Sequence, residues 1–550
     1  MLTRFFFKPQ SWFRILLIML SLASLISCGG SDKPAFDADN KILLLGNGAE
    51  PQYMDPHLIT GSPGFMIMRS LFEGLVELRP ESLEPVGGVA ESWDISDDGK
   101  TYTFHFRSSA KWSNGEALTA DDFLYSWNRV LSPGLGSQYA YMLHCIKNAE
   151  AFNNGDIKDF SQVGLKAPDA QTFVVELESP TPYFLQLLNM PCFYPVNREN
   201  IEAFGAMDER TTKWNRVGNM VSNGAFVLSQ WEPDRLIEVR RNPYYWDADA
   251  VKLDGVRFLP INNLQTEERM FQTGEIHITQ SLAPSKVVRY KKEKDPRLEI
   301  HPYLGTYYYK INTTKPPLDN PKVRRALAMT IDRASITNDI LKAGQTPATA
   351  LTPPDTAGYT SRAAIPYDPE KARELLAEAG YPGGEGLPPV ELLYNTQEAH
   401  RQIAEAVQAM WKNELGVEVH LANQDWKVFL SRLSNLDYAI ARSSWIGDYL
   451  DPTTFLDIFR SDSGNNRTGF ASDEYDRLLD EAARLRDEDK RYALYQQAEK
   501  ILLDAAPVMP VYTYSRVYLK APEVKAWATN ALNIQSFKAI DLVQVPVETP

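Results

Sequence analysis

A chain of 550 residues, 44% hydrophobic and 23% charged, has the composition of a soluble globular protein and is too long for one core, which predicts two or three lobes. A net charge of −14 argues against nucleic-acid binding, because phosphate contacts need a basic face. Three cysteines exclude a disulfide scaffold, and seven histidines without a spaced Cys/His cluster argue against a metal hydrolase.

The N-terminal segment predicts export and lipid attachment. Three basic residues precede the apolar run 15–26, which is short for a membrane span and has the basic flank of a secretory signal. The run ends in Leu-Ile-Ser-Cys, which looks like a bacterial lipobox, so residues 1–28 are predicted to be a lipoprotein signal peptide with Cys28 acylated. An ordinary signal peptide with a chance cysteine is the alternative. Small polar residues at 29–40 suit a flexible tether, so we expect a protein of the cell envelope, anchored on its periplasmic or extracellular face.

Short strands and helices alternate along the rest of the chain, a pattern typical of α/β lobes. Apolar or alternating segments predict strands at 41–47, 101–107, 172–178 and 236–246, the last broken by an Asn-Pro turn. Cys145 and Cys192 would share an oxidising compartment, and the sequence leaves open whether they pair.

Helical periodicity is clearer in the second half of the chain. It predicts one helix over 320–344 and another over 395–416, the latter opened by a capping box from Asn395 to Glu398. Residues 473–507 are predicted to form two amphipathic helices whose charged faces are solvated.

Residues 441–456 place an arginine, a tryptophan and an aspartate close together: Arg442, Trp445 and Asp448. Such a cluster could be catalytic, could bind a ligand or could end a strand. The chain lacks the G-x-S-x-G, H-E-x-x-H and P-loop motifs, so we expect no enzyme. Asp451 precedes a proline, the pattern of a helix N-terminus, and therefore has a structural role, whereas no such role is visible for Asp448.

Segments 74–130, 222–247, 307–333 and 441–456 resemble, in this order, the bacterial oligopeptide-binding proteins, which are receptors of peptide ABC transporters in extracellular solute-binding family 5. The resemblance implies an α/β, periplasmic-binding-protein type II-like fold of three lobes, two of which close on the ligand about a hinge. The family boundaries give lobe I as 29–72 with 199–304 and 518–550, lobe II as 73–198 and lobe III as 305–517.

A peptide held extended between two lobes brings a charged ammonium and a charged carboxylate out of water, and each needs a partner. In the resembling receptors, an aspartate three residues after this tryptophan holds the peptide amine. The resemblance therefore assigns the amine to Asp448 and makes Trp445 a wall of the cleft near the first peptide residues. A loop aspartate that makes its own turn, and a tryptophan packed in the core, are the alternatives.

The resemblance also implies residues for the rest of the peptide. Arg442 and His400 correspond to residues near the carboxyl end, against the alternatives of a structural salt bridge and a surface histidine. Tyr139 corresponds to a tyrosine lining the cleft, and Trp426 to the wall of a side-chain pocket.

The sequence departs from the family pattern at the carboxyl end. Leu341 and Leu433 stand where relatives carry basic residues, and Lys342 and Arg432 lie one position away. Preferred peptide length and end chemistry therefore cannot be carried over from the family.

The expected function is that of a lipid-anchored, monomeric receptor without cofactor or metal. It would bind short peptides and deliver them to a membrane ABC permease. One alternative keeps the fold and changes the cargo to a metal chelate, haem, a sugar or a cell-wall peptide; a cargo without a free amine would not need Asp448. Another is a lipoprotein of signalling or adhesion, which needs no cleft that closes.

Overall fold

A computed structural model describes residues 40–545 of the chain. The predicted signal peptide and Cys28 lie outside the described residues, so lipid attachment stays a prediction. Within 40–545, no helix combines the length and apolar character needed to cross a membrane.

Most described strands are short, and two are long. They are β1 (Ile42–Gly46), β2 (Val76–Leu78), β3 (Pro85–Gly87), β4 (Ala90–Ile95), β5 (Thr101–Phe106), β6 (Leu165–Asp169), β7 (Thr172–Glu176), β8 (Phe226–Glu232), β9 (Leu236–Arg241), β10 (Gly255–Leu259), β11 (Leu298–Ile311), β12 (Thr346–Pro347), β13 (Val390–Asn395), β14 (Val419–Gln424), β15 (Ile440–Ile446), β16 (Val508–Leu519), β17 (Val524–Lys525) and β18 (Asp541–Leu542). Strands were found at all four predicted places.

The helices connect these strands and cover the sheets. They are α1 (Ser62–Leu71), α2 (Ala120–Leu131), α3 (Ala149–Asn153), α4 (Phe184–Leu187), α5 (Arg198–Glu202), α6 (Leu264–Thr273), α7 (Pro284–Glu293), α8 (Pro321–Met329), α9 (Arg333–Ser335, continued by a π-helical turn over Ile336–Leu341), α10 (Pro369–Glu378), α11 (Glu398–Leu415), α12 (Trp426–Ser434), α13 (Thr453–Leu456), α14 (Asp473–Ala483) and α15 (Glu488–Ala505). Short 3-10 turns occur at Ala140–Leu143, Phe160–Gln162, Pro191–Phe193, Ala248–Ala250, Pro382–Gly384 and Asp457–Phe459.

Three main sheets, each with its own buried hydrophobic cluster, organise the described chain. Lobe I is built on the sheet β1–β10–β9–β8, lobe II on the antiparallel sheet β4–β5–β7–β6, and lobe III on the six-stranded sheet β12–β16–β11–β15–β13–β14. Two further pairs, β2–β3 and β17–β18, complete the set. The predicted mixture of strands and helices is confirmed, while the residue-level lobe boundaries stay a prediction.

The prediction of one helix over 320–344 is wrong. Helix α8 ends at Met329, and α9 begins after Asp332, whose carboxylate accepts the backbone N–H of Ser335 at 3.1 Å. This N-cap restarts the chain as a new helix. The apolar spacing runs through the break because both pieces bury side chains in the same cluster, including Val323 and Ile336.

Two other helix predictions differ in outcome. The capping box at Asn395 is wrong, because Asn395 is the last residue of β13 and Gln397 occupies the N-cap of α11. The stop at Gly416 is confirmed by its left-handed backbone, with φ of 67°. The two helices predicted within 473–507 are α14 and α15.

Asp451 has a structural role, as predicted. Its carboxylate accepts the backbone N–H of Thr453 at 3.1 Å and pairs with Arg491 at 2.9 Å, and both charged side chains are buried. The α-helix itself begins one residue later than the proline pattern indicated. Cys145 and Cys192 are both free thiols in this structure.

Candidate functional site

Strand β15 has an open edge. It pairs with β11 over its whole length, but β13 pairs with it only at Ile440 and Ala441. From Arg442 to Ile446, β15 therefore has no second strand neighbour among residues 40–545. Backbone N–H and C=O groups on such an edge can pair with an extended ligand.

The chain turns inward directly after this edge. The N–H of Gly447 donates to the Leu304 carbonyl at 2.7 Å, and a Cβ at Gly447 would lie 2.6 Å from the Leu304 side chain. Glycine therefore permits the close approach to β11. The next N–H, that of Asp448, donates to Thr454 Oγ1 at 2.9 Å, which fixes the turn.

The Asp448 side chain is half-buried, and one of its carboxylate oxygens lacks a hydrogen-bond partner within 40–545. Its Oδ2 atom is buried and has no hydrogen-bond partner among the described residues. Burial raises the pKa of this carboxyl to about 7, although the charge of Arg69 acts in the opposite direction. A shift from 3.8 to about 7 corresponds to about 4 kcal/mol of lost stabilisation of the charged form. A cationic hydrogen-bond donor at this point would restore that stabilisation.

Aromatic side chains from lobe II face Asp448. The Tyr139 ring lies 5.7 Å from that of Phe65 and 6.0 Å from that of Tyr141. Burial and, after it, the Asp448 charge raise the pKa of both tyrosines. The structure thus brings the predicted Tyr139 and Asp448 together from different lobes.

Trp445 lies on one face of the β11–β15 pair. It is opposite Thr306, and it packs against the buried cluster that contains Tyr308 and Phe459. Its indole Nε1 is buried without a partner among the described residues. Trp445 therefore combines an apolar contact with an unused donor, as a wall residue of a polar cleft would.

Arg442 lies on the opposite face of β15, near the start of the strand. Its Nη2 donates to the Tyr514 hydroxyl at 3.0 Å and to Ser444 Oγ at 3.2 Å, and its guanidinium lies 5.1 Å from the Tyr307 ring centroid. No carboxylate among residues 40–545 pairs with it, and its Nε is buried without a partner. The structural salt bridge considered from the sequence is therefore absent within the described residues.

His400 lies near Arg442, beside the same Tyr307 ring. It is only 6% exposed, its ring lies 5.6 Å from that of Tyr307, and Nδ1 has no partner within 40–545. Burial and, after it, the positive charge of Arg442 lower the pKa of His400 well below its ordinary value, which leaves the ring neutral. The surface alternative is wrong, because the buried face of α11 includes this residue.

The remaining predicted residues lie elsewhere. Trp426 is 53% exposed and stacks on Phe429 at 5.7 Å, so its role as a pocket wall stays a prediction. Arg432 is paired with Glu391 at 2.8 Å and with Asp437 at 3.2 Å. It therefore does not replace the basic residue that relatives carry at the position of Leu433, which is buried.

Lobes II and III touch at the two residues that directly follow Asp448 in the chain. The N–H of Leu450 donates to Gln186 Oε1 at 2.8 Å, and the rings of Tyr449 and Tyr183 stack at 5.1 Å. Tyr449 also belongs to the buried cluster of lobe II. These contacts hold the cleft shut.

Several residues of the site escaped the sequence analysis. Arg69 comes from α1 in lobe I, and Tyr514 comes from β16, far away in sequence. Tyr141 could have been found, because it lies two positions after Tyr139. Within 40–545 no cluster of three or more potential ligand residues is arranged to hold a metal ion.

Comparison with known proteins gives consistent similarities. The family described as bacterial extracellular solute-binding proteins, family 5 Middle, matches residues 84–467. The chain is 37% identical over 525 residues to the oligopeptide-binding protein OppA of Bacillus subtilis, covering 93% of this chain and 94% of that one. It also resembles the solved structure of the murein tripeptide binding protein MppA of Escherichia coli, with a TM-score of 0.86 and 36% identity, over 92% of this chain and 99% of that chain.

A second solved structure of MppA represents its open conformation. Its unliganded open form matches this chain with a TM-score of 0.70, at the same 36% identity and over 92% of this chain and 98% of that chain. At equal sequence identity, the backbone of this chain therefore superposes less well on the open form than on the other MppA structure. The three-lobed, periplasmic-binding-protein type II-like fold is confirmed.

Proposed function

The chain belongs to the bacterial extracellular solute-binding proteins of family 5, and from that membership we propose that it binds short peptides in the cleft between lobes II and III. The names of its relatives support a peptide as the solute: one is an oligopeptide-binding protein and another binds a murein tripeptide. The family is one of binding proteins, so no reaction is proposed.

One observation carries the proposal: opposite unpaired charges lie at the two ends of an open strand edge. The unpaired carboxylate of Asp448 follows the end of β15, and the unpaired guanidinium of Arg442 lies six residues earlier, near its start. The strand portion of this separation, from Arg442 to Ile446, spans about 13 Å. An extended peptide along this edge would place its ammonium at Asp448 and its carboxylate towards Arg442 and His400.

The backbone edge explains how such a receptor could accept many sequences. Hydrogen bonds to peptide N–H and C=O groups do not depend on the side chains. Sequence-independent affinity then needs charge recognition only at the ends. A sugar or another neutral solute without an amine could donate a hydrogen bond to Asp448 but would not supply a positive charge to compensate it.

Acetylation of the peptide amine tests this assignment. We expect an N-acetylated tripeptide to bind about 30-fold more weakly than its free-amine form, or weaker still, because the neutral amide cannot compensate Asp448. Isothermal titration calorimetry on the two peptides measures the ratio, and a C-terminally amidated peptide serves as the control for the other end. Equal affinity for the acetylated and free peptides would remove the amine from the proposal.

We further propose that a lipid on Cys28 holds the protein at the membrane, where an ABC permease receives the peptide. The basic flank, the apolar run and Leu-Ile-Ser-Cys support the anchor, and the permease is supported by the likeness to a solved structure described as the substrate-binding domain of an oligopeptide ABC transporter.

Fractionation of cells tests the anchor. We expect Cys28→Ala to move the protein from the membrane fraction to the soluble fraction, because the variant lacks the thiol that would carry the lipid. Cys145→Ala is the matched control and should stay with the membrane. A Cys28→Ala protein that remains in the membrane fraction after a salt wash would contradict lipid attachment at this residue.

A further inference from the structure

Lobe I carries a basic surface on the helix pair α6 and α7. Between Pro284 and Lys294 the chain has five basic residues and one acid, although its overall net charge is −14. Lys342 joins them, because Lys291 Nζ donates to the Lys342 carbonyl at 3.0 Å. The basic surface is defined by six exposed residues: Arg269, Arg289, Lys291, Lys292, Lys294 and Lys342. Beside it, a shallow depression of about 570 Å³ lies between the two helices, with Arg269 and Arg289 in its lining.

Most charges of the basic surface have no acidic partner. Arg289 pairs with Glu268 at 3.1 Å and with Glu293 at 3.7 Å, and Glu268 also pairs with Lys286 at 2.8 Å. The other five residues of the surface form no salt bridge within residues 40–545. The Glu268 side chain is only 7% exposed, so the two cations paired with it cover its charge. The charge presented to solvent here is therefore positive, on a protein that is acidic as a whole.

Helix α7 is fixed to lobe I by its opposite face. Val287 and Tyr290 are buried in one hydrophobic cluster with Phe271 of α6. Val288, the next residue along the helix, is instead 43% exposed among the cations. An outward valine flanked by basic residues suits the boundary between lipid headgroups and acyl chains.

The basic surface lies close to the point where the proposed tether joins lobe I. Leu44 of β1 packs against the buried cluster that contains Val287 and Tyr290 of α7. Asn40 comes four residues before Leu44, so it lies at most about 14 Å from it. The twelve steps from Cys28 to Asn40 reach at most about 40 Å. With its lipid in the membrane, the chain is therefore long enough and short enough to bring α6 and α7 to the same membrane surface.

We propose that the basic surface of lobe I binds the anionic phospholipid headgroups of the membrane that holds the protein. The inference rests on the proposed lipid anchor, which keeps this membrane within reach at all times. Each lysine or arginine close to an anionic membrane adds to the affinity, and the effects combine over the surface. Four of the six residues are lysines, whose flexible point charges can follow a fluid array of phosphates. The contact turns this side of lobe I towards the lipid.

Co-sedimentation with lipid vesicles tests the contact. Residues 29–550, produced without signal peptide and lipid, keep every described residue and carry no acyl chain that could insert. At about 0.1 M salt we expect binding to phosphatidylcholine vesicles that contain about 30% phosphatidylglycerol, and no binding to pure phosphatidylcholine. Replacing Lys291, Lys292 and Lys294 together with glutamine should weaken binding about 100-fold, because each lysine near the surface contributes about fivefold.

Two further variants make the result decisive. Lys111→Gln, Lys158→Gln and Lys166→Gln together form the matched control: they remove three exposed lysines of lobe II, change the net charge equally and should stay within about twofold of wild type. Arg269→Gln with Lys342→Gln lies outside α7 and should weaken binding about 25-fold, which covers the case in which the α7 variant fails to fold.

Three results would overturn the proposal. They are wild-type protein that does not bind the anionic vesicles, which would leave the surface to an acidic protein; equal binding to both kinds of vesicle; and equal losses in the α7 variant and the lobe II control. Because the tested protein carries no lipid, these results are independent of the fractionation of Cys28→Ala, so failure of the anchor and failure of the basic surface are distinguishable.

Discussion

Replacing Asp448 with asparagine should weaken binding of a free-amine peptide by about 2–5 kcal/mol, or about 30-fold to several thousand-fold in Kd. Asparagine keeps the size of the side chain and removes its charge, so the bound ammonium is left in a buried site without an anion.

A double-mutant cycle isolates this pairing. Wild type and Asp448→Asn are each titrated with the free and the N-acetylated tripeptide, and acetylation should have almost no further effect in the variant. Between pH 8 and pH 6 the wild-type affinity should fall, because a proton then competes with the ammonium for a carboxyl of raised pKa, and the variant should lose this dependence. An acetylation penalty that persists in Asp448→Asn would place the amine elsewhere.

The same unpaired acid links ligand binding to closure. In this structure the Oδ2 atom of Asp448 is buried without a hydrogen-bond partner among the described residues. Above about pH 7 the carboxylate is charged, so closing an empty cleft removes it from water without compensation. A peptide ammonium removes that penalty. Closure is therefore favoured only when cargo is present, which is what a receptor that hands its ligand to another protein requires.

Local sequence patterns predicted the parts of the site that depend on neighbouring residues. Asp451 could be assigned a structural role from the proline after it, whereas Asp448 was assigned to the peptide amine by the family resemblance. Alternation predicted β5 and β7, because each has one buried face. Trp445 and Asp448 lie within four positions, so their common location followed from their spacing.

Contacts between distant segments could not be predicted in this way. The approach of Arg69 to Asp448 depends on how lobe I packs on lobe III, and the stacking of Tyr449 on Tyr183 depends on closure. Apolar spacing concealed the break in 320–344 for the same reason, since a shared core imposes one pattern on two helices.

The largest expected effect on stability concerns an ion pair between lobes I and II. Asp55 accepts two hydrogen bonds from Arg129 of α2, at 2.7 and 3.0 Å, and the two side chains are 2% and 0% exposed. The pair is completed by His57, whose Nδ1 faces Arg129 Nη1 at 2.9 Å and whose Nε2 faces the Tyr194 carbonyl at 3.0 Å. Burial, and after it the charge of Arg129, lowers the pKa of His57 to about 4, so the ring is neutral and can accept from Arg129.

Asp55→Asn should lower the free energy of unfolding by about 3–5 kcal/mol, because it leaves Arg129 charged and buried without its anion. Glu84→Gln is the matched control: its pair with Arg79 has a similar separation of 2.8 Å, but the side chains are 66% and 54% exposed, and the loss should stay below about 1 kcal/mol. Urea unfolding followed by tryptophan fluorescence compares the two variants. Burial alone would raise the pKa of Asp55, but the charge and hydrogen bonds of Arg129 outweigh it and lower the pKa. The folded protein therefore favours the charged form of Asp55. The contribution of the pair to the free energy of unfolding should be present above about pH 4 and be lost as the pH falls further. Equal losses in Asp55→Asn and Glu84→Gln would mean that burial does not determine the strength of these pairs, and that lobes I and II are held together by their apolar contacts alone.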